Sequence, residues 1–288
     1  MMGADAFSLA RIPLGDWVEA GVEWMGVSWA AFFDGMADGI TALVEGLDAL
    51  LSAPPYFVLI VLLAALAWYV RNGKFALYTV LSFLLIESMD LWSAAMSTLS
   101  LVLISTLVSL VVGVLLGMLA AAHDGFSKVL KPILDFMQTL PSFVYLIPAI
   151  VFFGIGFVPG AIATIIFSLP PAARLTELGL RNVDAEVIEA GEAFGASSWR
   201  ILWDIKVPLA LPTIMSGINQ VIMLSLSMVV TAGIVGSGGL GSIVYQGVTR
   251  LEIGLGFEGG IAVVIVAVFL DRLTSALGER ANHRISRG

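Results

Sequence analysis

The chain contains no cysteine. That excludes a disulfide framework, a thiolate metal site and a cysteine nucleophile. Histidine is nearly absent, with only His123 and His283. No HExxH pattern occurs and neither histidine falls in an apolar run. An intramembrane metalloprotease or a Ser–His hydrolase therefore lacks its parts. Charge is sparse, with 12% of residues charged against about 25% in an average soluble domain. Glu87, Asp90 and Asp271 approach apolar runs only at their ends. A proton-coupled carrier would hold acids at mid-membrane. The run Gly236-Ser237-Gly238-Gly239-Leu240-Gly241 is not followed by the Lys-Ser/Thr of a phosphate loop. No catalytic residue, metal set or cofactor of the chain's own is expected. The segment from Met1 to Trp17 lacks a basic stretch followed by an apolar core, and is not expected to be a cleaved signal peptide.

Apolar residues are abundant. They make up 59% of the 288 residues, and the mean hydropathy is +0.99. This composition marks an all-α polytopic membrane protein. A span takes about 20 apolar residues. Seven candidates follow, at 55–70, 75–92, 96–122, 134–155, 157–174, 209–235 and 258–277. Only Gly154, Gly156, Pro159 and Gly160 divide the fourth from the fifth, so six spans is the alternative. With seven, twelve of the fourteen basic residues fall on one side, and Arg11 and Arg250 fall opposite. The positive-inside rule then puts the C-terminus in the cytoplasm and the N-terminus outside.

Residues 1–54 form a tail with eight acids and one arginine. Asp16, Glu19, Glu23, Asp34, Asp38, Glu45 and Asp48 share one helical face, within an arc of about 100°. Met25, Phe32, Met36, Leu43, Leu47 and Leu50 cluster opposite. One or two amphipathic helices ending at Pro54-Pro55 are expected, lying along the outer surface, with a docking surface for an extracytoplasmic partner as the sharper alternative. Residues 55–92 read as two peripheral spans, 93–280 as a core and 281–288 as a cytoplasmic tail.

One polar stretch interrupts the core. Between 182 and 208 the sequence holds Glu189-Ala190-Gly191, then Gly195, then Ile205 and Val207-Pro208. Asp184 to Phe194 is helix-compatible, Gly195 can stop that helix, and Ser197-Ser198 can cap a second. Trp199 and Trp203 are large apolar residues in a loop that should be wet, which usually marks a partner surface.

The spacing resembles the EAA loop of type I ABC importer permeases, with Gly191 for Ala and Val207 for Leu. MQTLPSFVYLIP (137–148), FGIGFVPG (153–160), SLPPAARLTELGL (168–180) and the 227–251 segment resemble the osmoprotectant subfamily, which takes up glycine betaine, proline betaine and choline. The resemblance implies the type I permease fold and a location in the bacterial inner membrane, in contact with lipid. It also implies a second permease copy, two cytoplasmic ATPases that bind ATP and magnesium, and an extracytoplasmic binding protein. No nucleic acid is involved. The loop residues Glu189, Ala190, Gly191, Gly195, Trp199, Trp203, Ile205 and Pro208 would couple to the ATPase.

Pro141, Phe143 and Tyr145 break an apolar run, which is tolerated only where protein or water covers it. They are candidates for the translocation path, with Asn219, Met223, Ser227 and Met228. Phe143 and Tyr145 could offer ring faces to a quaternary ammonium; aromatic packing between helices is the competing reading. Gly236, Gly238, Gly239 and Gly241 are expected to form an outer turn that permits close approach between two copies or to the binding protein. The rival functions are a permease for another amino-acid-like cargo and a stand-alone secondary carrier, which would show repeated halves.

Overall fold

The computed structural model describes residues 13–285, with side chains through Gly278. Arg11, Arg287 and the first twelve residues of the tail lie outside the described residues, as do the side chains of Arg280, His283 and Arg284. Every regular element among the described residues is helical. The α-helices are α1 (Leu14–Ser28), α2 (Ala30–Ser52), α3 (Tyr56–Val70), α4 (Gly73–Ser88), α5 (Trp92–Ala122), α6 (Asp124–Thr139) and α7 (Ser142–Phe153). They continue with α8 (Phe157–Arg181), α9 (Ala185–Ala193), α10 (Ser198–Arg200), α11 (Val207–Ala232), α12 (Gly239–Thr249) and α13 (Ile253–Ile285).

The centre is the packing of α5 and α11 on α8. Ser105, Ser109, Gly113 and Gly117 recur every fourth residue on α5 and let the backbones approach. A Cβ on Gly113 would lie 3.0 Å from Leu169 O. The Ser109 hydroxyl donates to Ile165 O at 2.9 Å and lies 2.8 Å from Ser168 Oγ. On the other face of α8, a Cβ on Gly217 would lie 3.1 Å from Leu175 Cβ, and one on Gly179 would lie 3.1 Å from Ala210 O. In apolar lipid there is no water to escape, so small residues and interhelical hydrogen bonds are what hold such helices together.

Among the described residues four helices are long and apolar enough to cross a bilayer, or up to six if each sharply bent pair is one span, fewer than the seven expected and at most the six of the alternative. Here α3 and α4 have 15 and 16 residues, about 22–24 Å at 1.5 Å per residue. That is short of the about 30 Å hydrocarbon core. The expected span at 134–155 is not one helix. It breaks at Leu140-Pro141, where α6 and α7 meet at 100°. The residue before a proline is pushed out of the α region, and Leu140 is extended (φ −69°, ψ 135°). Pro54-Pro55 similarly separates α2 from α3, which are bent by 102°.

The tail has three faces rather than two. Ile40 and Val44 are its buried residues, and Phe33 stacks on Phe152 with ring centroids 4.3 Å apart. The expected apolar cluster is split. Met25, Met36 and Leu47 are half-buried, while Phe32, Leu43 and Leu50 are exposed. Heptad position alone does not say which apolar stripe meets the bundle.

The bundle has a basic end and a glycine end. At the basic end the Arg181 guanidinium donates to Asp124 Oδ1 at 2.7 Å and pairs with Glu177 Oε1 at 2.8 Å. Glu177 is 3% exposed. It also accepts from Ser127 at 2.6 Å and pairs with Lys131 at 3.2 Å, as a buried carboxylate requires. Arg174 pairs with Asp135. The α3–α4 turn, with Arg71 and Lys74, sits beside Arg272 of α13.

Candidate coupling loop and polar face

At the basic end the chain leaves α8 and enters the polar stretch. The Asp184 carboxylate caps α9 by accepting the Glu186 N–H at 3.0 Å. Gly195 at φ +79° ends it, with Ala196 N donating to Gly191 O at 3.0 Å. This is the left-handed stop that glycine alone adopts at little cost. Ser197 Oγ then caps α10, accepting from Arg200 N at 3.4 Å.

From Ser198 the chain is helical into α11. A π-helical turn, Ile201–Lys206, joins α10 to α11. Its signature bond runs from Val207 N to Leu202 O. Pro208 supplies no N–H to the turn before it, which favours this wider winding. Ile201 is buried, and Leu202 packs with Leu180 and the α5 residues Met118 and Ala121. The loop is thus fixed to the ends of α5 and α8 and continuous with α11.

Its outer surface is apolar. Phe194 is 93% exposed, Trp199 69% and Trp203 43%. The two indoles lie 5.5 Å apart. Glu189 and Ala190 are exposed, Gly191 half-buried and Ile205 half-buried. Exposed apolar patches of this kind usually mark a partner surface. Phe194 escaped sequence analysis, although the reasoning applied to Trp199 covers it equally: a large apolar residue beside a helix-stopping glycine.

The path candidates separate into two groups. Met223 and Ser227 are exposed on α11, and Phe143 and Pro141 are exposed at the start of α7. Tyr145 and Met228 are packed residues, 8% and 0% exposed, in one small core with Ala149 and Ala232. The Tyr145 ring meets Phe167 edge-on at 5.8 Å and its hydroxyl donates to Met137 O. Tyr145 and Met228 are both packed because α7 folds back onto α8 and α11. Asn219 is half-buried, and its Oδ1 finds no partner among the described residues.

Met223 and Ser227 belong to a longer row. Pro212, Ser216, Gln220, Met223, Ser227 and Ile234 are all exposed. At about 100° per residue they lie within roughly 80° of one another. The exposed row of α5, by contrast, is apolar throughout: Leu103, Leu107, Val111, Leu115 and Leu119. Lipid suits the α5 row. The α11 row, with Ser216, Gln220 and Ser227, needs water or protein against it. Sequence analysis missed Gln220 and Ser216; their i, i+4, i+7 relation to Met223 and Ser227 was the available signal.

Part of the glycine turn packs within the chain. Gly236, Gly238 and Gly239 have φ of 76°, 76° and 64°. A Cβ on Gly241 would lie 2.8 Å from Val229 O, and Leu240 N donates to Thr98 Oγ1 at 2.8 Å. These glycines let α12 press on α11 and α5. Gly238 faces open space, so the internal packing rests on Gly239 and Gly241.

Residues 113–287 match the model of the family described as "Binding-protein-dependent transport system inner membrane component". The chain belongs to that family. It is 48% identical over 276 residues to the glycine betaine transport system permease protein OpuAB of Bacillus subtilis, covering 96% of this chain and 98% of the relative. It is 43% identical to the glycine betaine/proline betaine transport system permease protein ProW of Escherichia coli, covering 98% of this chain and 80% of the relative. Among solved structures, the inward-facing MetNI methionine ABC transporter aligns with a TM-score of 0.56 at 23% identity, over 68% of this chain and 95% of the other. That likeness establishes the fold, a type I ABC importer permease. The chain is a transport component rather than an enzyme.

Proposed function

We propose that this chain is the permease subunit of an ATP-driven importer of quaternary ammonium osmoprotectants, with glycine betaine and proline betaine as leading cargoes. The observation that carries the reading is the unbroken helix from Ser198 through the π-helical turn into α11. It joins the exposed Phe194–Trp199–Trp203 surface to the polar row of Ser216, Gln220 and Ser227. A force on the loop is thereby delivered to the face that meets the cargo. The close relatives' names support the betaines; choline, part of the expected cargo class, has no such support.

In this reading the basic end is cytoplasmic, by the positive-inside rule, and the N-terminus lies outside. A cytoplasmic ATPase, which binds ATP and magnesium, docks on the loop. Two permease copies face one another across a two-fold axis, covering the α11 row. An extracytoplasmic binding protein delivers cargo at the glycine end. ATP-driven closure of two ATPases draws the two loops together, and α11 carries the movement into the membrane.

The test is purification of the tagged chain from its native membrane in mild detergent, with mass spectrometry of what accompanies it. An ABC ATPase in equal copy number to the permease supports the reading. A chain that emerges alone, and still moves substrate without ATP, replaces it with a secondary carrier.

A further inference from the structure

A second feature lies away from the coupling loop. Between the α3–α4 turn and α13 is a cavity of about 320 Å³. Its rim holds Arg71, Lys74 and Arg272, all exposed, and its floor is made of Phe75, Tyr78 and Val268. Among the described residues no carboxylate lines it. The ion pairs found among those residues all lie elsewhere, on Asp124, Asp135 and Glu177. Three cations thus surround an apolar floor. The N-terminal end of α4, capped by Asn72 through the Phe75 N–H at 2.9 Å, adds its partial positive charge.

Helix length and the neighbouring aromatics point to headgroup depth for the cavity. Arg272 follows the start of α13 by 19 residues, about 28 Å along a helix, close to the about 30 Å hydrocarbon thickness. Trp68 and Tyr69 are exposed one turn before the α3–α4 link, where interfacial aromatics anchor at the headgroup level. The outer faces of α3 and α4 toward the hydrocarbon are apolar, with Val61, Leu62, Leu77 and Leu81 exposed.

We infer that this cavity binds the phosphate headgroup of an anionic phospholipid, whose acyl chains run along the exposed faces of α3 and α4. Basic pockets between membrane helices on the cytoplasmic side bind such headgroups. The guanidinium groups of Arg71 and Arg272 suit bidentate contact with phosphate oxygens. Lys74 adds a point charge.

The experiment is native mass spectrometry of the detergent-purified permease in its transporter complex. The probe is an equimolar mixture of phosphatidylglycerol and phosphatidylcholine. The wild-type chain should retain phosphatidylglycerol preferentially. Arg71→Gln/Lys74→Gln/Arg272→Gln should reduce that preference by at least about tenfold, given the attraction each basic residue contributes near an anionic surface. Lys74→Gln alone, at an exposed turn, should give a smaller fall and guards against misfolding of the triple variant. Lys128→Gln, which removes one exposed charge elsewhere at the basic end, should change nothing. An unchanged preference in both the triple variant and Lys74→Gln overturns the inference. So does displacement of the lipid by soluble glycerol phosphate at matched concentration, which would make the cavity a free-anion site.

Discussion

Gly191 and Ile205 meet across the coupling loop. A Cβ on Gly191 would lie 2.8 Å from Ile205 Cδ1. The contact locks α9 against the π-helical turn, and both residues belong to the EAA-like pattern. The obstructing atom is the far end of a flexible side chain, so Gly191→Ala should be accommodated by a rotation of Ile205. Copurification of the ATPase should stay at the wild-type level. Gly191→Leu overpacks the joint and should cost about 1–3 kcal/mol locally, read as reduced ATPase copurification.

Phe194 and Trp199 bury little of themselves in this chain, so truncating them should barely touch its stability. Their proposed partner is the ATPase. Phe194→Ala or Trp199→Ala should leave the thermal midpoint of the solubilised permease within about 1 °C, a surface substitution of under 0.5 kcal/mol. ATPase affinity should fall about 30-fold, as for an interface hot spot of about 2 kcal/mol. Thermal unfolding of the variant permease and titration of purified ATPase onto it measure the two effects.

The α11 row should matter for cargo and not for docking. Gln220→Leu and Ser227→Leu place apolar groups where water or a second copy is expected. Transport should fall by tenfold or more, about 1.4 kcal/mol, with ATPase copurification unchanged. A conservative change on the lipid-facing row of α5, Leu107→Ile, should affect neither. Uptake assays beside pull-downs separate the two outcomes.

Gly117 should be intolerant for a different reason. A Cβ there would lie 2.6 Å from Thr176 Cβ, with α8 backbone also in the way. Backbone cannot rotate aside. Gly117→Val should destabilise the α5–α8 pair by about 1–3 kcal/mol, seen as a lower thermal midpoint and poor recovery from the membrane.

The sequence made the coupling loop legible because it stands out by contrast. A charged stretch between long apolar runs, with glycine, serine and proline at the right offsets, has few alternative structures. The apolar core was legible as membrane helix for the same reason. The number and shape of spans was harder. Pro141 announced a break but not a 100° turn, and α3 and α4 are apolar enough to look like spans while being short. Faces were harder still. Tyr145 and Met228 have the composition of path residues, yet α7 buries them, and nothing in their spacing says so. The glycines of 236–241 declared close approach without declaring to what; within the chain, Gly241 meets Val229 and Gly239 meets Thr98.

The central claim is that motion at the loop drives passage through the bundle. It is tested most directly by uptake of labelled glycine betaine into proteoliposomes holding the permease, its ATPase and its binding protein, with wild-type and Gly195→Asp chains compared. Gly195 lies at φ +79° with open space around it, so a side chain there strains the loop by about 1–2 kcal/mol and projects into open space without disturbing the bundle. The account predicts ATP-dependent uptake by the wild type, and loss of both uptake and ATPase binding in Gly195→Asp with the chain still in the membrane. Normal ATP-driven uptake by Gly195→Asp would contradict it.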